Sequence, residues 1–146
     1  MKNISPRVTL WVNRIIFCLL VALLPSMPFI LRWYSSIRAL TVTEYYAIMV
    51  AFYICAVITG AALWKMERLL QNILHDEVFV RQNIGYIRWI QWCCGLVSLV
   101  CIPAAFFYLP LIFMVIIMAF LCLVISVVIK TMEAAVAIRE ENDLTI

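Results

Sequence analysis

The stretch WIQWCCGLVSLVCIPAAFFYLPLIFMVIIMAFLCLVISVVI, Trp89 to Ile129, decides the fold: forty-one consecutive residues hold no Asp, Glu, Lys, Arg or His. A helix rises about 1.5 Å per residue and a bilayer core is about 30 Å thick, so one crossing takes roughly twenty residues. The run is long enough for two crossings and too long for one. Pro110 stands near its middle, where a hairpin turns.

Outward from this run, the rest of the chain divides in the same way. Two further uncharged runs, Ile15 to Leu31 and Tyr45 to Trp64, supply one crossing each. Spans are expected near residues 12–31, 44–65, 88–108 and 111–131. The 146 residues are 67% apolar and 13% charged, which leaves no material for a separate soluble or nucleotide-binding domain. The expected fold is an all-α integral membrane protein: one domain, residues 1–146, forming a four-transmembrane-helix bundle with cytoplasmic helical extensions.

Lys and Arg orient it. Lys2, Arg7, Arg14, Lys65, Arg68, Arg81, Arg88, Lys130 and Arg139 fall on the side of the termini, and only Arg32 and Arg38 on the other. The positive-inside rule then places both termini, the 66–87 loop and the 132–146 tail in the cytoplasm. Trp11, Trp64 and Trp89 belong to the inner interface, and Trp33, Tyr34, Tyr45, Tyr46 and Tyr108 to the outer one. The first span follows a basic start, but Pro25-Ser26-Met27-Pro28 lacks the small-x-small pattern of a cleavage site, so a retained span is expected. Pro25 and Pro28 predict a kink or early stop there, with residues 29–43 as the one sizeable external connection.

Small residues recur at helical spacing in every span: Cys18, Ala22 and Pro25; Ala47, Ala51, Cys55 and Thr59 beside Ala56 and Gly60; Cys94, Ser98, Cys101 and Ala105; Ala119, Cys122 and Ser126. They read as close-packing faces within the bundle, with a homo-oligomer face as the alternative. The six cysteines form no CxxC and have no His nearby, so packing is the reading, and a mid-bilayer thiol cluster of Cys55, Cys101 and Cys122 the alternative. No metal, cofactor or catalytic residue is expected. Pumps, proton-coupled transporters and intramembrane hydrolases keep ionisable groups at depth, and here Arg14 and Glu44 stand only at span edges. His75, the lone histidine, lies in the 66–87 loop and reads as solvated or capping.

The distinctive residues face the cytoplasm. Met66, Leu69, Leu70, Ile73 and Leu74 share one stripe, so the second helix is expected to continue as an amphipathic arm. The fourth has no breaker through Glu141, and the two extensions are expected to pack together, Arg68, Arg81 and Arg88 facing Glu133, Glu140, Glu141 and Asp143. Two segments here carry a resemblance. Val78-Phe79-Val80-Arg81-Gln82-Asn83-Ile84-Gly85-Tyr86-Ile87-Arg88 is similar to the "pF-s-x-eN-v-x-x-l-r" segment, and the terminus Glu133-Ala134-Ala135-Val136-Ala137-Ile138-Arg139-Glu140-Glu141-Asn142-Asp143-Leu144-Thr145-Ile146 to the closing "L-x-E-E-N-D-L-T-I", of the YoaS-like bacterial four-span family of unknown function. This chain departs from that pattern with Asp76-Glu77-Val78 before the Phe and Val80 after it. The hydroxyl that would cap the third helix is thereby lost, leaving Asp76 or Asn83 to serve.

The resemblance implies a bacterial inner-membrane protein whose relatives are often encoded beside a Cro-like helix-turn-helix regulator. The chain itself has no recognition helix or basic face for nucleic acid. The expected function is therefore non-enzymatic: a sensor or tether in contact with membrane lipid, its cytoplasmic face holding a protein partner such as that regulator. The residues expected to carry it are Phe79, Asn83, Arg88, Glu140, Glu141, Asn142, Asp143, Leu144 and Ile146. The last of these either dock the partner or fold back on the 66–88 loop. The competing class is a lipid- or small-molecule-handling or immunity-type membrane protein.

Overall fold

The structure, a computed structural model, describes residues 6–75 and 80–144. Phe79, Ile146 and the side chain of Asp143, together with Asp76, lie outside the described part. Four α-helices account for nearly all of it: α1 (Pro6–Ile37), α2 (Val42–Leu74), α3 (Arg81–Phe107) and α4 (Leu111–Leu144), with no strand among the described residues. All four are long and apolar enough to cross a membrane. The hairpin turn between α3 and α4 falls at Tyr108-Leu109-Pro110. An even number of antiparallel crossings brings both chain ends to one end of the bundle, here called the terminal end.

Each helix packs on its neighbours in the chain, most extensively α3 on α4 and least α1 on α2. Among the described residues no Cα of α1 or α2 comes within 8 Å of one in α4. The extensions of α2 and α4 therefore do not pack on each other as expected: α3 stands between them, and α4 continues along α3. Most large apolar side chains face outward, Val57, Phe106 and Leu123 each being more than two-thirds exposed. Lipid covers such a surface, so the drive for helix association is close packing and hydrogen bonding.

The structure revises the close-packing faces. Ala51 and Ala56 of α2 and Cys101 of α3 are buried as expected, but Cys18 and Ala22 of α1 and Ala119 of α4 are exposed. On α3 the buried row is Cys93, Val97, Cys101 and Ala104, shifted from the expected Cys94, Ser98, Cys101 and Ala105. The reason is α3's central position, which needs two packing faces. Cys101 meets Cys55 of α2, while Ser98 donates to the Val115 carbonyl of α4 at 3.3 Å. A side chain on Gly95 would touch Cys122 of α4 at 4.0 Å, another mark of close approach there.

The expected stop at Pro25 and Pro28 is also corrected: α1 runs through both to Ile37, leaving only residues 38–41 as connection to α2. A proline inside a helix leaves the carbonyl four residues back without its donor, and in lipid another group must replace it. For Pro28 that carbonyl belongs to Leu24, and the Tyr53 hydroxyl of α2 donates to it at 3.1 Å. At the end opposite the chain termini, the Tyr34 and Tyr108 hydroxyls share a 2.7 Å hydrogen bond, and the Arg38 guanidinium lies 5.5 Å from the Tyr108 ring centroid. Thr41 caps α2, its N–H donating to the Glu44 carboxylate at 2.7 Å.

Candidate functional site

The polar residues of the terminal end converge on the start of α3. α4 spans 34 residues, about 51 Å of helix, against a hydrocarbon core of about 30 Å. The surplus is the charged part from Lys130 to Leu144, which continues past the uncharged membrane segment without a break. The start of α3, Arg81 to Arg88, runs beside it.

Two ion pairs and a small apolar core join these pieces. Arg81 donates from Nε and Nη2 to both oxygens of Glu140, at 2.9 and 2.7 Å, a two-pronged pair that fixes orientation as well as distance. Arg88 donates from Nη2 to Glu133 at 2.7 Å, two turns nearer the membrane. Between the two bridges Ile84 of α3 is buried with Ile129 and Val136 of α4, backed by Ile87, Ile125 and Met132. Both members of the Arg81–Glu140 pair stand clear of the uncharged spans. The carboxylate raises the guanidinium above its ordinary value, and the guanidinium hydrogen bonds hold the carboxyl below its own.

Asn83 is the most enclosed residue of the site, with no exposed surface. Its Oδ1 accepts 2.9 Å from Asn72 Nδ2, which ties α3 to the last turn of α2. The N-cap of α3 is Val80, without a side-chain cap bond, so Asn83 is a link between helices and does not stand at the cap position. Leu69 and Leu70 of the α2 arm are buried, while Met66, Ile73 and Leu74 are half-buried. α1 joins through Arg14, whose guanidinium bonds Glu67 of α2 at 3.0 Å, and through Asn13 Nδ2, which donates to the Leu63 carbonyl at 3.3 Å. Lys65 stands 5.5 Å from the Tyr86 ring and 5.8 Å from the Trp89 ring.

Of the expected site residues, Asn83, Arg88 and Glu140 are thus brought into one plate, the arginines pairing within the expected acidic set and Asn83 bonding α2 rather than the tail. Asn83 engages α2, and Arg88 engages Glu133, seven residues before Glu140. As far as Leu144 the described part of α4 neither folds back nor extends as a strand, and residues 145–146 lie outside the described part. Glu140, Glu141, Asn142 and Leu144 belong to the helix itself, with Glu141, Asn142 and Leu144 exposed and Leu144 the most open at 87%. Glu133 belongs to the acidic set expected opposite the arginines, whereas the pattern of the sequence does not mark Asn72, Glu67 or Gln91. Gln91 is the one amide side chain inside the long uncharged run, and it donates to Ser126 Oγ of α4.

The geometry has a counterpart among known sequences. No curated protein and no solved structure matches the chain. Residues 8–146, from the first turns of α1 to the end of the tail, match a family described as protein of unknown function (DUF2975). A match over almost the whole length, joined to four apolar helices with the plate at their terminal end, settles the affiliation: the chain belongs to the DUF2975 family.

Proposed function

We propose that this chain is a non-enzymatic multi-pass protein of the bacterial inner membrane, and that its plate, facing the cytoplasm, docks a soluble protein. The excess of Lys and Arg at the terminal end supports that orientation. One observation carries the docking role: α4 leaves the membrane as an unbroken helix, pinned to α3 by Arg88–Glu133 and Arg81–Glu140, with Ile138 and Leu144 60% and 87% exposed beyond the lipid. A pre-ordered helix with apolar side chains toward water suits a partner that covers it, because little ordering entropy is lost on binding. Resemblance to the YoaS-like family supports a helix-turn-helix regulator as that partner. Nucleic-acid contact would then be indirect, through the regulator.

The test is co-purification of a co-expressed regulator, encoded beside this chain, with three forms in mild detergent: intact protein, a variant lacking residues 140–146, and Ile138→Asp with Leu144→Asp. Both altered forms are expected to lose the regulator while keeping their helix content. Retention of the regulator by both refutes the docking role.

A second reading is favoured by a different feature. Between α2 and α3, toward the end opposite the plate, an apolar groove of about 820 Å3 is lined by residues that include Tyr46, Val50, Ile54, Leu99, Pro103 and Phe107. A lipid- or small-molecule-handling protein would use this groove and leave the plate idle. Bulky substitution at Ala47 in the groove would then abolish the phenotype that plate variants leave intact.

A further inference from the structure

The membrane-spanning part holds a second cavity, of about 290 Å3, bordered by all four helices. Its chemistry is unusual: Met27 of α1, Cys55 of α2, Cys101 of α3, and Met114 and Met118 of α4 all line it. Thr59 supplies the one side-chain oxygen in the lining, and no side-chain nitrogen or charged group borders it. The Cys55 and Cys101 sulfurs lie 3.8 Å apart across the α2–α3 contact. Cys122, the third member of the alternative thiol cluster, turns instead to α3 near Gly95 and Gln91.

We propose that Cys55 and Cys101, with the thioethers of Met27, Met114 and Met118 around them, form an intramembrane site for a soft monovalent metal ion, copper(I) being its biological member. Three physical arguments converge. Thiolate and thioether donors select soft ions, whereas calcium and magnesium need a cage of oxygens that this cavity does not offer. Metal–sulfur bonds of about 2.3 Å, the length known for zinc, set two ligands on one tetrahedral or trigonal ion roughly 3.8–4.0 Å apart. The observed sulfur separation meets this without backbone movement. Charge favours the lower valence: one thiolate and one monovalent ion sum to zero with a single proton lost, while a divalent ion reaches neutrality only if both thiols are deprotonated in a low-dielectric site.

Loading is a proton exchange without redox change. Copper(I) enters, one of the two thiols gives its proton to bulk water, a copper–thiolate bond forms, and the second thiol and the thioethers complete the shell. The site is independent of the plate, which it neither touches nor requires.

The test uses the full chain in mild detergent, reduced and anaerobic, titrated with silver(I) as a redox-inert probe and with copper(I) held by bicinchoninate. After removal of free metal, about one ion per chain is expected, in a sulfur-only shell by X-ray absorption. Cys55→Ser with Cys101→Ser is expected to abolish retention. Met114→Leu with Met118→Leu conserves volume and so spares the fold. It should weaken chelator-competed affinity by roughly ten-fold or more, since even outer-shell changes act on that scale. Replacing Cys18, Cys93, Cys94 and Cys122 by Ser should leave stoichiometry unchanged. Failure of the intact chain to retain metal, retention by the Cys55/Cys101 variant, unweakened affinity in the methionine variant, or nitrogen or oxygen in the shell each overturns the proposal.

Discussion

Asn72→Ala strikes the plate at its most enclosed point. The Asn83 Oδ1 that Asn72 serves at 2.9 Å belongs to a residue with no exposed surface, so water cannot replace the lost donor. A buried group that loses a hydrogen-bond partner costs roughly 1–3 kcal/mol. The reverse change, Asn83→Ala, leaves behind the amide of Asn72, which is half-buried and can turn toward water. Its hydrogen-bond loss belongs at the low end, about 1 kcal/mol, with a cavity contribution added. The double variant should then recover part of the two single costs, a coupling of about 0.5–3 kcal/mol for residues in contact. Hydrogen exchange in nanodiscs reads this locally. Amides in 66–74 and 80–88 should exchange roughly 5- to 150-fold faster in Asn72→Ala, the rate equivalent of a 1–3 kcal/mol cheaper opening. Amides in 45–60 should not change. Additivity of the two single variants within about 0.5 kcal/mol, or acceleration spread evenly over all four helices, would refute the role given to this pair.

Three further outcomes are expected. Tyr53→Phe should cost about 0.5–1.5 kcal/mol in detergent-titrated unfolding, because the Leu24 carbonyl loses its donor; in a Pro28→Ala background, which restores a backbone N–H, the cost should shrink. The lowered Glu140 carboxyl gives a pH dependence of known sign. Its pairing stabilises the plate fully above the ordinary value of 4.5 and is lost as pH falls through the lower folded value, so the stability gap between the native chain and Glu140→Gln should close under acid. Cys93→Leu, at a buried position of α3, should destabilise by about 1–3 kcal/mol through overpacking, whereas Ala22→Leu, on the exposed face of α1, should be nearly neutral; equal effects would restore the expected α1 packing face.

The helix count and the α3–α4 hairpin were readable because a charge-free run such as Trp89–Ile129 has one physical use, and length divides it. The continuation of α2 and α4 was readable for a related reason, the lack of any breaker between Lys65 and Leu74 or between Lys130 and Glu141. Neighbour relations were not. Nothing in the pattern of charges says that α3 stands between the other two extensions, and that is why Asn83 bonds Asn72 of α2 while the arginines of α3 meet Glu133 and Glu140 of α4. Pro25 and Pro28 misled because their local rule holds in water, while in lipid the Tyr53 hydroxyl on another helix can take over the freed carbonyl. The Cys55–Cys101 contact was within reach as a shared depth. Its methionine surroundings were not, since they come from helices whose rotation no periodicity reveals.

The unbroken course of α4 has a mechanical consequence. A rod of about 51 Å without proline or glycine has no joint, so its part inside the bilayer and its part outside move as one lever. A tilt of about 10° in lipid, well within the range that bilayer thickness imposes on single helices, would sweep the far end sideways by roughly 4 Å over the last fifteen residues. The Arg81 and Arg88 bridges would have to follow or part. Force applied to Leu144 from one side of the membrane is thus felt among the side chains of Met114 and Met118 within it.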